Sequence, residues 1–135
     1  MKTHIYYLAC LFMLPLISCQ KEDETDFAKQ ILGVWNWEKS VGGIGGWTLT
    51  PQSENYTKTL YISSNTIKEY KDDKLQFSTT YELKINTDST MWKCCYYLEF
   101  PNGIPNQSIW IDDQQLMLYD WISDGYGHSY RRKLN

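Results

Sequence analysis

The chain has 135 residues, the length of about one domain. It carries 13 Lys and Arg against 16 Asp and Glu, a formal charge of −3, and its only basic cluster is Arg131, Arg132 and Lys133 at the very end, which speaks against nucleic acid as a partner. The four cysteines, at positions 10, 19, 94 and 95, show no zinc-site spacing.

The N-terminus reads as an export signal. Lys2 supplies a positive charge, and the run from Ile5 to Ile17 is almost wholly apolar but too short to span a bilayer as a mature helix. It ends in "LISC", Leu16 to Cys19, which resembles a bacterial lipobox; in such proteins the signal is cut before the cysteine, which then carries the acyl chains. An ordinary secretory signal that happens to contain a cysteine is the plainer alternative. The expected organisation is a signal peptide over 1–18, acylated Cys19 with an acidic tether over 19–30, and one folded domain over 31–135. The tether opens "QKEDETD", which resembles the surface-export signal of lipoproteins in some Gram-negative lineages and also suits a solvated linker. The expectation is an outer-membrane lipoprotein at the cell surface, or alternatively facing the periplasm. Its acidic segment gives anionic lipid no purchase, so membrane contact runs through the acyl chains alone.

After Gly33 strand signals recur between turn residues. Strands are expected over Gly33–Val41, Tyr56–Ile62, Thr66–Lys71, Leu75–Ile85, Met91–Phe100, Ser108–Asp112, Gln115–Trp121 and His128–Leu134. The fourth alternates cleanly: Leu75, Phe77, Thr79, Tyr81, Leu83 and Ile85 share one face, with Gln76, Ser78, Thr80, Glu82, Lys84 and Asn86 on the other. The fifth puts Trp92, Cys94, Tyr96, Leu98 and Phe100 on one face, so that neighbouring Cys94 and Cys95 point apart. Eight strands with short connections suggest an all-β, antiparallel up-and-down barrel of eight strands, soluble because the second face of the fourth strand is polar.

The longest connection holds "SVGGIGGWTLTP", Ser40 to Pro51. A phosphate loop needs a lysine directly after the glycines and a following helix. Neither is present: "WTLTP" follows, the next lysine is Lys58, and Pro51 interrupts any helix. The segment 42–55 is expected to be a flap at one barrel mouth, with Ile44 or Trp47 able to fold inward.

"GVWNWEKSVGGIGG" at the start of the first strand and "DGYGHSYRRK" at the last resemble the lipocalin family, specifically the lipocalin-like, calycin-type domains of small bacterial lipoproteins. The preceding "TDFAKQIL" could form one short helical turn. The resemblance implies that Trp35, behind Gly33, closes the barrel base, and that Arg131 or Arg132 packs across it. A cation over an indole face gives that pairing physical support.

Little in the sequence points to catalysis. His128 is the only histidine beyond the signal, with no evident orienting partner. Asp112, Asp113, Asp120 and Asp124 lie near turns, where acids are usually solvated or cap the backbone. Glu38, Glu69 and Glu82 are read as outward strand residues. The chain is therefore expected not to be an enzyme and to need no cofactor or metal. The aromatic side chains, 16% of the chain, are the outstanding excess, and they serve equally to fill a small barrel or to line a pocket. Trp37, Trp47, Phe77, Tyr81, Trp92, Tyr96 and Tyr130 are the candidate ligand-binding residues. The reading is a monomeric, non-catalytic barrel holding a small hydrophobic or amphipathic ligand. The alternative is a filled barrel that contacts a protein or glycan through the 42–55 loop and exposed Trp47, Trp110 or Tyr97.

Overall fold

The computed structural model describes residues 19–87 and 96–134. The expected signal over 1–18, and Trp92, Cys94 and Cys95, lie outside the described residues.

Helix α1 (Cys19–Gln30) leads into strands β1 (Gly33–Gly42) and β2 (Trp47–Leu49), followed by the short helix α2 (Pro51–Glu54). Then come β3 (Lys58–Ile62), β4 (Thr66–Lys71), β5 (Lys74–Thr80), β6 (Glu82–Ile85), β7 (Tyr96–Glu99), β8 (Gln107–Asp112), β9 (Gln115–Asp120) and β10 (Tyr126–Arg132). All strand pairings are antiparallel, and the sheet runs β5-β4-β3-β1-β10-β9-β8-β7-β6, with β2 paired to β1 outside that path. The fold is an all-β, nearly closed barrel-like sheet.

The expected count is eight strands, and the described residues form ten. The first difference is β2, inside the long connection. The second is a break at Tyr81: the expected fourth strand becomes β5, which pairs with β4, and β6, which pairs with β7. The two outer strands of the sheet are thus consecutive in the chain, one residue apart. Pro51 also departs from expectation. It stands in the first turn of α2, where its missing N–H costs nothing, and Thr50 and Ser53 form a reciprocal cap around it. The single helical turn expected before the domain is instead the 12-residue α1.

Local chemistry explains the tight turns. Asp72 and Asp73, at φ 46° and 63°, form the two-residue link between β4 and β5. Aspartate tolerates this left-handed backbone, and its twist suits a hairpin. The Asp72 carboxylate accepts from the Thr57 amide at 2.8 Å and so ties the turn to the start of β3. Gly42 is needed for a different reason: a Cβ there would stand 2.3 Å from the Gly125 carbonyl oxygen.

The register of β1 on β10 sorts the inner face. Trp35 lies opposite Arg132 and Trp37 opposite Tyr130. A bulge at Glu38 then shifts the pairing, so that Ser40 lies opposite His128. Inner residues of β3, β4, β8 and β9 meet this face in a core of Leu60, Ile62, Ile67, Ile109, Leu116 and Leu118.

One end of the sheet, here the base, receives α1. Ile31 and Trp35 are fully buried there, and the Trp35 indole N–H donates to the Ile31 carbonyl at 3.0 Å. The Arg132 guanidinium lies 4.1 Å from the Trp35 ring centre. Its three nitrogens donate to the carbonyls of Gln30 (2.6 Å), Leu32 (3.0 Å) and Asp113 (3.2 Å). One side chain thereby satisfies orphan carbonyls at the end of α1 and stitches the helix, β1 and the β8–β9 turn to the last strand. Arg131 faces outward and pairs with Glu38 at 2.6 Å. Only Arg132 therefore takes the place across Trp35.

Arg132→Lys keeps the charge but loses the planar fork, leaving carbonyls unpaired. It should lower the unfolding free energy by about 2 kcal/mol in denaturant titration. Arg131→Lys, at an exposed pair, should change it by less than about 1 kcal/mol.

Candidate functional site

The other end, the mouth, carries the 43–57 connection and the loops after β7 and β9. Its inner wall is polar where the base is dry. From β3 and β4 it receives Lys58 directly opposite Lys71, with Glu69 one inner position deeper, opposite Leu60. From β10 it receives His128 and Tyr130, and from β8 and β9 Gln107 opposite Asp120.

A chain of hydrogen bonds crosses the β1 side of this wall. The Trp37 indole N–H donates to the Ser40 hydroxyl at 2.9 Å. Ser40 Oγ lies 2.7 Å from His128 Nδ1, and His128 Nε2 lies 3.4 Å from Asp120 Oδ2. The ionised Asp120 carboxylate can only accept, which calls for a proton on Nε2; in that neutral tautomer Nδ1 accepts from the Ser40 hydroxyl, whose oxygen accepts from the indole. Gln107 Nε2 donates to the other Asp120 oxygen at 2.7 Å, and the Tyr126 amide donates to Oδ2 at 3.1 Å. Asp120 thus ties β8, β9 and β10 together. Burial alone would raise its pKa, but the hydrogen bonds from His128, Gln107 and the Tyr126 amide outweigh that and lower it from 3.8 to about 2.

Serine, histidine and aspartate in a row invite comparison with a nucleophile, base and orienting acid. Two features set this chain apart. Ser40 is 3% exposed, and its oxygen already accepts the Trp37 indole proton. Its geometry suits it to hold the wall together rather than to attack a substrate.

Tyr130 is the unusual group. It is 3% exposed, yet its hydroxyl hydrogen-bonds to no described residue, and no fully enclosed side-chain polar atom lacks a partner among the described residues. The hydroxyl is therefore not fully enclosed. Burial drives its pKa well above the usual tyrosine range, and the charges of Glu69 and Asp120 add to this, so it stays a neutral donor. Beside it, Trp37 stacks on Tyr56 with ring centres 5.7 Å apart.

Next to this wall the sheet is incomplete. Among the described residues β5 has no strand on its far side, and Phe77, opposite Glu69, faces the loop after β7 across a gap. A hollow of about 230 Å³ opens there between Phe77, Phe100, Ile104, Gln107 and Asp120.

The other expected ligand-binding residues separate. Trp37 and Tyr130 are buried side by side. Tyr81 is buried at the β5–β6 break, with its hydroxyl given to the Ser63 carbonyl at 2.7 Å. Tyr96 stacks on Phe27 of α1, ring centres 4.0 Å apart, and so belongs to the base. Phe77 was expected inside, but with no neighbouring strand to cover it the ring is 39% exposed at the gap. Trp47 and Ile44 do not fold inward: they are 64% and 91% exposed, because the 42–55 connection is held outside by β2 pairing to β1.

Several site residues were not expected, among them Ser40, Glu69, Asp120 and the lysines Lys58 and Lys71. Ser40 would face outward by strict alternation from Trp35 and Trp37; the bulge at Glu38 turns it in. Glu69 and Asp120 were legible, since Glu69 alternates with buried Ile67, and Asp120 with buried Leu116 and Leu118. Reading both as surface acids gave residue type precedence over period. Compared with known proteins, the chain matches no family model, no curated protein and no solved structure.

A depressed carboxylate stabilises the fold fully above its ordinary pKa, near 4, and loses that contribution as pH falls through the folded value, about 2. Stability should fall by about 2 kcal/mol from Asp120 across that window. In denaturant melts at pH 5 and pH 2.5, Asp120→Asn should start less stable and show a shallower loss on acidification.

Proposed function

We propose that this chain is a lipid-anchored, lipocalin-like protein that holds a small hydrophobic or amphipathic ligand in the mouth half of its barrel and does no chemistry on it. Counting β5 and β6 as one bent stave and β2 as part of the flap gives the eight staves of such a barrel. The pairing of Arg132 with Trp35 at the base fits the same family. Cys19 would carry the acyl chains, and the protein would sit on the outer membrane, at the cell surface, as a monomer.

The observation that carries the binding reading is the Tyr130 hydroxyl. A hydroxyl that is nearly buried, not fully enclosed and paired to no described residue has a donor that a ligand or water can complete. Trp37 and Tyr56 beside it supply aromatic surface, and the hollow at Phe77 is lined by Gln107 and Asp120 of the same wall.

A second reading rests on the flap. Exposed Ile44 and Trp47 offer apolar surface to a protein or glycan, with the barrel serving only as a scaffold.

Native mass spectrometry of the protein from its own host, before and after solvent extraction, separates the two. The binding reading expects a discrete adduct mass that extraction removes. An unliganded mass throughout would favour the scaffold. Tyr130→Phe sharpens the result: removal of an unpaired hydroxyl should leave stability unchanged or raise it by up to about 1 kcal/mol, while retention of the adduct falls. A loss of stability instead would mean that the hydroxyl has a structural partner.

A further inference from the structure

The ligand's chemical class is written in the charges of the mouth, and this inference rests on the binding reading above. Lys58 and Lys71 stand directly opposite each other on adjacent strands of the inner face. Like charges in that position destabilise a sheet. Glu69 lies 3.9 Å from Lys58 and offsets one of the two. Among the described residues Lys71 meets no carboxylate. Its ammonium sits 3.7 Å from the centre of the Tyr56 ring, and that of Lys58 lies 5.2 Å from the Trp37 ring. Such contacts fix where the cations point without neutralising them.

The acid on the opposite side of the mouth does not supply the missing charge. Both oxygens of Asp120 are engaged by Gln107, Tyr126 and His128. Two groups therefore meet no ion-pair or hydrogen-bond partner among the described residues, the Lys71 ammonium over the Tyr56 ring and the hydroxyl of Tyr130, the residue opposite Trp37. Both are donors, and both call for an acceptor. Local conflicts of this kind persist where function requires them.

We infer that the site takes a small amphipathic organic anion, its acidic head between Lys71 and Lys58 and its flat apolar body against the Trp37–Tyr56 stack, with Tyr130 donating a hydrogen bond to it. A carboxylate, sulfonate or phosphate ester would meet the same cations, and the shared requirement is one negative head on an apolar body.

Two fluorescent probes isolate that requirement. 8-Anilinonaphthalene-1-sulfonate and N-phenyl-1-naphthylamine have the same ring system and differ in the sulfonate. Each is titrated into solvent-extracted full-length protein. Binding is read by energy transfer from tryptophan, which counts only probe held close to the protein. A charge-assisted contact predicts that the sulfonate binds about tenfold tighter than the neutral probe. Lys71→Met should erase that preference and leave the neutral probe's affinity intact. Lys74→Met, which removes an exposed lysine next to the same turn, should leave the preference in place. Equal affinity for the two probes, or an equal loss in both variants, would overturn the anionic head and leave a neutral-binding barrel standing. Binding of neither probe would overturn the binding reading itself.

Discussion

The structure depends on the pairing of its first strand with its last. β1 and β10 are separated by almost the whole chain, and nothing local brings them together. Their closure exposes no row of unpaired backbone at either strand and turns a meander into an enclosure. Arg132 holds that closure at the base. Its planar head lies over Trp35, and its donors reach the end of α1 and the β8–β9 turn. A lysine could match the charge but not three acceptors at once. The base is consequently dry, filled by Ile31, Trp35, Leu98 and Leu116.

The same strand pair also makes the other end different. Without the bulge at Glu38, alternation from Trp35 and Trp37 would turn the Lys39 side chain into the interior. With it, Ser40 enters, completes the indole proton of Trp37 and orients His128. One inserted residue thus exchanges an unpaired buried cation for a satisfied hydrogen-bonded chain. The polarity that the mouth retains lies elsewhere, on Lys58, Lys71, Glu69 and Tyr130. The interior is therefore divided along the barrel axis: packing decides the lower half and unpaired donors mark the upper. The break at Tyr81 adds access, because β5 leaves β7 behind and exposes Phe77 at the gap.

Most of the strands were readable from the amino-acid order, since alternation and turn residues are local signals. Thr66–Lys71 matches the strand found, and Asp72–Asp73 marks its turn. The all-β class followed from the same signals. What escaped was non-local. The break of 74–85 at Tyr81 comes from a change of pairing partner, which no residue in the segment announces. The bulge at Glu38 appears only in register against β10. β2 escaped because Trp47–Leu49, though strand-favouring in composition, is only three residues long inside a glycine-rich connection. In the site, Trp37 and Tyr130 were found from aromatic content and period. Glu69 and Asp120 had the right period but were discounted for their charge. Ser40 gave no signal at all.

Tyr130, though 3% exposed, keeps a hydroxyl that is not fully enclosed, whereas Trp35 is wholly buried. Fluorine placed on each ring in turn, with the 19F resonance compared in H2O and D2O, tests this directly. The account predicts a solvent isotope shift at position 130, a further change when an organic anion is added, and neither at position 35. A position 130 resonance as indifferent to D2O as that of position 35 would contradict it, for the upper half of the interior would then be packed like the lower.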